Sequence, residues 1–190
     1  DGIRDFCLSR GLGDVYKRQV LKFQPEAKVS ALDFSSEMLE LAHQQQGENA
    51  HGLNYIRGDA MAPPFPKEYF EAVTVGYGLR NVADLSACIK NILSLLKPSG
   101  VLVCLDVGKV NIPVIAQLNR FYFFKIVPLI GKWLMPGQEM FDYLPHSSIN
   151  YPDQKKLKKI LLEEGFQKVD VYDFVFGAST IHVAQKLASS

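Results

Sequence analysis

Short, continuous apolar runs whose ends carry glycine or a carboxylate constrain this chain most. Lys28–Asp33, Leu53–Arg57 (followed by Gly58-Asp59), Phe70–Val75 (followed by Gly76) and Val101–Val107 are strand-length, and most lack the alternation of a half-wetted sheet. Helical patterns lie between them. Ser35 or Ser36 caps a run to about Gln46 with Met38, Leu39 and Ala42 on one face. Asp84–Leu96 places Leu85, Cys88, Ile89, Ile92, Leu95 and Leu96 on a buried side, and Lys97-Pro98-Ser99-Gly100 reads as its stop and turn. The β-α-β-β-α-β spacing predicts a parallel, doubly covered α/β sheet.

The end of the chain departs from that pattern. Asp153–Glu164 is an amphipathic helix stopped by Gly165. Val169–Phe176 and Thr180–Lys186, separated by Gly177-Ala-Ser, predict an antiparallel hairpin at the sheet edge. Val20–Gln24, ending at Pro25, reads as the tail of a helix.

The chain has 190 residues, enough for one domain with a real core, and a net charge of +1, which argues against a nucleic-acid surface. Cysteines at 7, 88 and 104 have no metal-like spacing and read as buried thiols of a reducing, cytoplasmic compartment. No eighteen-residue apolar run is present. The insertion 112–150 stands out. Ile112–Met135 is rich in Phe, Tyr, Ile and Leu but interrupted by Asn119, Arg120, Lys125 and Lys132. It reads as a long helix packed on the sheet, or as an apolar lid or peripheral membrane contact.

Residues 1–19 show neither helical nor strand period. Asp1–Asp5 and Ser9–Gln19 back-translate to codons resembling the two constant parts of a transposase-based sequencing adapter, in order. On that reading 1–19 is non-native, 20–190 is a truncated domain, and 1–19 is expected to be irregular or to make few specific contacts. Setting it aside leaves 17 basic and 17 acidic residues and removes Cys7. The alternative is a native N-terminal arm.

Three strand ends in series, at Asp33, Asp59-Ala60 and Gly76, form one cleft lip, where open α/β sheets bind ligands. A carboxylate at Asp33 suits a ribose diol, although an Asp here also caps helices. Asp59 with the Ala60 N–H suits an adenine edge. The Gly76-Tyr77-Gly78-Leu79-Arg80-Asn81-Val82 segment follows a strand, and Arg80 and Asn81 have no reason to be in a core. They either meet a polar ligand or pin the loop. No glycine-rich phosphate loop is visible in Val20–Ser190.

Asp33-Phe-Ser-Ser-Glu-Met-Leu, Gly58-Asp-Ala with Pro64-Phe-Pro66, Gly78–Val82, Leu96–Gly100, Tyr151-Pro-Asp153, Glu164-Gly-Phe166 and His182 together resemble the ubiquinone/menaquinone biosynthesis C-methyltransferases, the menaquinone type somewhat more. The resemblance covers essentially all of Val20–Lys186. It implies a class I S-adenosylmethionine-dependent (Rossmann-like) methyltransferase sheet of order 3-2-1-4-5-7-6 with strand 7 antiparallel, here lacking its first strand and cofactor loop. It implies S-adenosylmethionine bound by Asp33, Asp59, Ala60 and Gly76. The implied reaction is C-methylation of a prenylated quinol, demethylmenaquinol foremost. His182, Asp106 and Tyr143 are the candidates for proton handling, with Tyr77, Arg80 and Asn81 orienting the ring. Ser99 stands in place of the family's glycine and reads as harmless. Benzoquinol, sterol or phospholipid acceptors are alternatives. A Rossmann oxidoreductase is more distant, because the antiparallel hairpin argues against it. Without a middle strand, the chain itself is expected to bind the cofactor weakly and to be inactive.

Overall fold

The computed structural model describes residues 4–9, 21–44, 52–110, 112–127, 129 and 151–188. Seven strands form one sheet: β1 Arg4–Ser9, β2 Lys28–Asp33, β3 Leu53–Arg57, β4 Phe70–Gly76, β5 Leu96–Val107, β6 Lys168–Phe174 and β7 Ser179–Gln185. Their order is β3-β2-β1-β4-β5-β7-β6. The first five run parallel, and β7 is antiparallel to both β5 and β6. Both the order and the edge hairpin match the sequence expectation.

The first strand does not match it. Arg4–Ser9 occupies the centre of the sheet, paired with β2 from Arg4↔Lys28 to Leu8↔Leu32 and with β4 from Asp5↔Ala72 to Ser9↔Gly76. The expectation of a sheet lacking its first strand is therefore corrected, and within segment 1–19 residues 4–9 are extended and paired rather than irregular. The physical reason is that the inner edges of β2 and β4 each present N–H and C=O groups that require partners. A parallel ladder is made of backbone bonds, so a six-residue extended segment satisfies both edges whatever its codons resemble.

The remaining elements follow local chemistry. Helix α1, Ser36–Gln44, starts where Ser35 Oγ accepts the Met38 N–H at 3.3 Å. Helix α2, Leu85–Leu95, is capped by Asp84, whose carboxylate accepts the Ala87 N–H at 3.0 Å. Residues 21–23 are helical, as the Val20–Gln24 reading expects. Helix α3, Pro113–Phe121, runs into a π-helical turn at Tyr122–Ile126. Helix α4, Gln154–Glu163, is capped by Asp153 and ends at Gly165, whose φ of 112° suits a residue without Cβ.

The Lys-Pro-Ser-Gly segment is not a turn before the strand but a bulge within it. Phe70 pairs with Leu96 and Ala72 already pairs with Val101, so Glu71 faces four residues. Ser99 takes φ 62° to make this bend. The reading of Ser99 as harmless is thus corrected: it holds a left-handed conformation that favours glycine.

The main core lies on one sheet face. Phe70, Val73 and Val75 of β4 and Leu102 and Cys104 of β5 pack with Cys88, Ile89 and Ile92 of α2 and Leu157 and Leu161 of α4. A smaller cluster of Ala27, Val29, Ala31 and Leu53 sits toward β3. Cys88 and Cys104 are buried free thiols, as expected. Among the described residues no helix is long and apolar enough to cross a membrane.

Candidate active site

Parallel strands deliver their carboxyl ends to one edge, and the candidate residues collect there. A cleft of about 340 Å³ is lined by Asp33 and Phe34 after β2, Gly58, Asp59, Ala60 and Met61 after β3, and Gly78, Asn81, Val82 and Ala83 after β4. Asp33 uses one carboxylate oxygen to accept the Ser35 N–H at 2.9 Å. Asp59 likewise accepts the Met61 N–H at 2.8 Å. These bonds stiffen both strand-end turns and fix each carboxylate on the cleft wall.

The loop after β4 is built around strain and charge. Tyr77 sits at φ 56°, and Leu79–Asn81 form a single 3-10 turn with Leu79 buried beneath. Asn81 Nδ2 donates to the Tyr77 carbonyl at 3.0 Å. The Arg80 guanidinium lies 5.3 Å from the centre of the Tyr77 ring, and its Nη1 is 3.5 Å from Asp106 Oδ1. Both partners are nearly inaccessible to solvent. The pair ties the loop after β4 to the carboxyl end of β5.

The pair is incompletely satisfied. Asp106 Oδ1 also accepts the Val107 N–H at 2.8 Å, yet among the described residues Asp106 Oδ2 and Arg80 Nε are buried without a hydrogen-bond partner. Burial pushes the Asp106 carboxyl up to about 6, against the opposing pull of the Val107 N–H and the Arg80 charge. The carboxylate thus holds one oxygen inside the protein without a hydrogen bond, apart from the cleft lining.

His182 is placed differently. It is buried on the same sheet face, opposite Cys104, and its Nε2 lies 3.1 Å from the Gln154 carbonyl. Burial lowers its pKa, which favours the neutral ring. Tyr151 OH faces Cys104 Sγ at 4.0 Å, and burial pushes the pKa of both groups up.

The predicted residues therefore separate into groups. Asp33, Asp59 and Ala60 share the cleft, joined by Asn81, which the sequence reading assigned to the substrate side. Arg80, Tyr77 and Asp106 form a second group. Gly76 is a buried strand residue between Ser9 and Leu105, and Gly78 lines the cleft instead. Tyr143 lies outside the described residues, as does Gly11-Leu12-Gly13, which follows β1 in the chain.

Sequence reasoning missed Gln154. Its Oε1 accepts the Lys109 N–H at 3.1 Å, while its Nε2 donates to the Lys109 and Gly177 carbonyls at 3.0 and 3.1 Å. This buried amide clamps the exit of β5 to the β6–β7 connection. Phe34, an exposed ring on the cleft wall, was also missed; its signal was its place directly after Asp33.

The sheet order and the cleft on its carboxyl edge are those of the class I methyltransferase fold. The carbon methyltransferase of CurJ shares it, with a TM-score of 0.70 at 20% identity over 98% of this chain and 49% of that one. The [4+2]-cyclase SpnF shares it equally, with a TM-score of 0.69 at 15% identity over 99% of this chain and 76% of that one. Fold alone therefore leaves the chemistry open. The sequence narrows it: the profile of the ubiE/COQ5 methyltransferase family matches residues 2–186, and the chain belongs to that family. A demethylmenaquinone methyltransferase of Leptospira interrogans is 48% identical over 162 residues, 83% of this chain. One of Staphylococcus haemolyticus is 35% identical over 163 residues, 86% of this chain and 68% of its own length. The chain spans 65% of the length of the Leptospira relative.

Proposed function

We propose that this chain carries the catalytic domain of a C-methyltransferase that methylates a prenylated quinol, demethylmenaquinol foremost, using S-adenosylmethionine. The observation that carries this reading is the pairing of family membership with one cleft holding Asp33, Asp59 and Ala60 at successive strand ends. The donor set fits the cofactor. Asp33 offers a carboxylate to ribose hydroxyls, Asp59 and the Ala60 backbone offer an acceptor and a donor to adenine, and Phe34 and Met61 give apolar surface. When bound, S-adenosylmethionine supplies the sulfonium methyl group.

The chain's own residues handle the acceptor. A quinol ring carbon becomes nucleophilic when a ring hydroxyl gives up its proton, and methylation then releases the proton of that carbon. Asp106 Oδ2 accepts a proton in this scheme, and Arg80, paired to the same carboxylate, holds the negative charge that develops on the ring oxygen. Asn81 and Tyr77 shape the loop that carries Arg80. His182 serves as a buried bond to the Gln154 carbonyl rather than as the base.

Calorimetry tests the cofactor half. The expectation of weak binding rested on a missing middle strand, which the sheet supplies. Micromolar S-adenosylmethionine binding, lost in Asp33→Ala, is expected; retention of full affinity in that variant would remove Asp33 from the site. For the acceptor half, Asp106→Asn should depress demethylmenaquinol turnover and abolish a kinetic pKa near 6.

A further inference from the structure

Phe174, Val175 and Phe176 lead from β6 toward β7 with their side chains in solvent. Val175 is 72% and Phe176 65% exposed. Their φ angles are 50° and 56°, and Gly177 follows at 91°. A connection needing only to reverse direction uses glycine or asparagine at such angles. A β-branched residue there is strained. Local backbone preference therefore does not explain these residues, and the strained turn holds two large apolar side chains outward.

The position of this tip is fixed. Ser179, the first residue of β7, pairs with Val107 at the carboxyl end of β5. Gln154 Nε2 bonds the carbonyls of both Gly177 and Lys109. The tip thus stands on the sheet edge that carries the cleft, beside the start of the insertion. There Val114, Leu118 and Phe121, spaced by four and three residues along α3, are exposed, and Lys125 lies exposed one turn on. From Lys109 to Gln138 the sequence holds Lys109, Arg120, Lys125 and Lys132 and no carboxylate. Exposed apolar side chains flanked by the exposed Lys109 and Lys125, along a stretch of sequence without carboxylates, complement an anionic lipid surface. Asp173, exposed beside the tip and accepting the Thr180 hydroxyl at 3.2 Å, is the opposing charge.

We propose that the β6–β7 tip and the exposed face of α3 together form a contact for an anionic bilayer surface. Val175 and Phe176 enter the headgroup boundary and bring the carboxyl edge of the sheet to the lipid. This rests on the reading that the acceptor is a prenylated, membrane-dissolved quinol.

Co-sedimentation with vesicles tests it. The chain should pellet with vesicles containing phosphatidylglycerol and less with phosphatidylcholine alone. The double variant Val175→Asn/Phe176→Gly suits the left-handed backbone, so it should fold at least as stably. It should lose about tenfold or more in vesicle affinity, as expected for withdrawing two large apolar side chains from lipid. Unchanged vesicle binding by the variant, or no binding by the parent chain, overturns the proposal. So does a dimer in sedimentation equilibrium that the variant abolishes, since the tip would then be a self-association surface. Calorimetry with S-adenosylmethionine on both proteins separates the two readings. Tip-dependent vesicle binding without cofactor binding would sink the methyltransferase reading and leave the lipid contact standing.

Discussion

Gly108→Ala is the most demanding small change this structure offers. A Cβ at residue 108 would lie 2.2 Å from the Gly177 carbonyl oxygen, 2.3 Å from Thr180 Oγ1 and 2.7 Å from Gln154 Nε2. None of these can retreat at low cost. The Gly177 carbonyl accepts from Gln154, the Thr180 hydroxyl donates to Asp173, and Gly108 itself donates to the Ala178 carbonyl at 3.1 Å. Admitting the methyl group means lifting the hairpin connection off β5. That breaks the Gly108–Ala178 and Gln154–Gly177 bonds, worth about 1 kcal/mol each, and leaves a buried amide under-satisfied at a further cost of about 1–3 kcal/mol. The reduced freedom of alanine in the unfolded chain offsets less than about 1 kcal/mol. The net loss should be about 3 kcal/mol, a large share of the roughly 5–15 kcal/mol that stabilises a domain. Urea unfolding followed by far-ultraviolet circular dichroism measures it. A loss below about 1 kcal/mol would show that the β5 exit and the hairpin connection are not locked together.

Ser99→Gly should stabilise the chain by about 0.5–1 kcal/mol in the same assay, because φ 62° penalises any Cβ. Asp106 gives a signed pH test. Its folded pKa, up to about 6, lies above the ordinary carboxylate value near 4, so its contribution is full below pH 4 and is lost as pH rises to 6. The stability of the parent relative to Asp106→Asn should therefore fall by about 2–3 kcal/mol across that window, and a flat difference would refute the shift. Deleting residues 1–19 removes both ladders of β1, so cooperative thermal unfolding should disappear. An unchanged transition would mean that Arg4–Ser9 contributes nothing to the sheet.

The parallel strands were legible because burial on both faces leaves continuous apolar runs, as in Val101–Val107. The acids of the cleft were legible because Asp33 and Asp59 close such runs. β1 was not, since Arg-Asp-Phe-Cys-Leu-Ser has only three apolar residues in succession and its strand state comes from two neighbours distant in the chain. The pairing of Arg80 with Asp106 is tertiary, and no spacing announces it. Sequence pattern singled both residues out as chemistry and offered loop pinning as one reading of Arg80, but could not name the partner. Gln154 was invisible for a related reason. A glutamine at the first position of a helix reads as a surface residue, and only the meeting of Lys109 with Gly177 turns it into a buried clamp.

The central place of β1 also sets an order of assembly. On the ribosome the first strand meets β2 early, but its other edge waits until α1, β3 and the proline-containing turn have been made and β4 emerges. At about 5–20 residues per second that wait lasts several seconds. During it, the strand destined for the most protected position in the molecule presents an open edge, a template for any extended segment nearby. Nascent chains stalled between β3 and β4 should accordingly be the aggregation-prone species, and a chaperone that shields a β-edge would act there rather than on the finished fold.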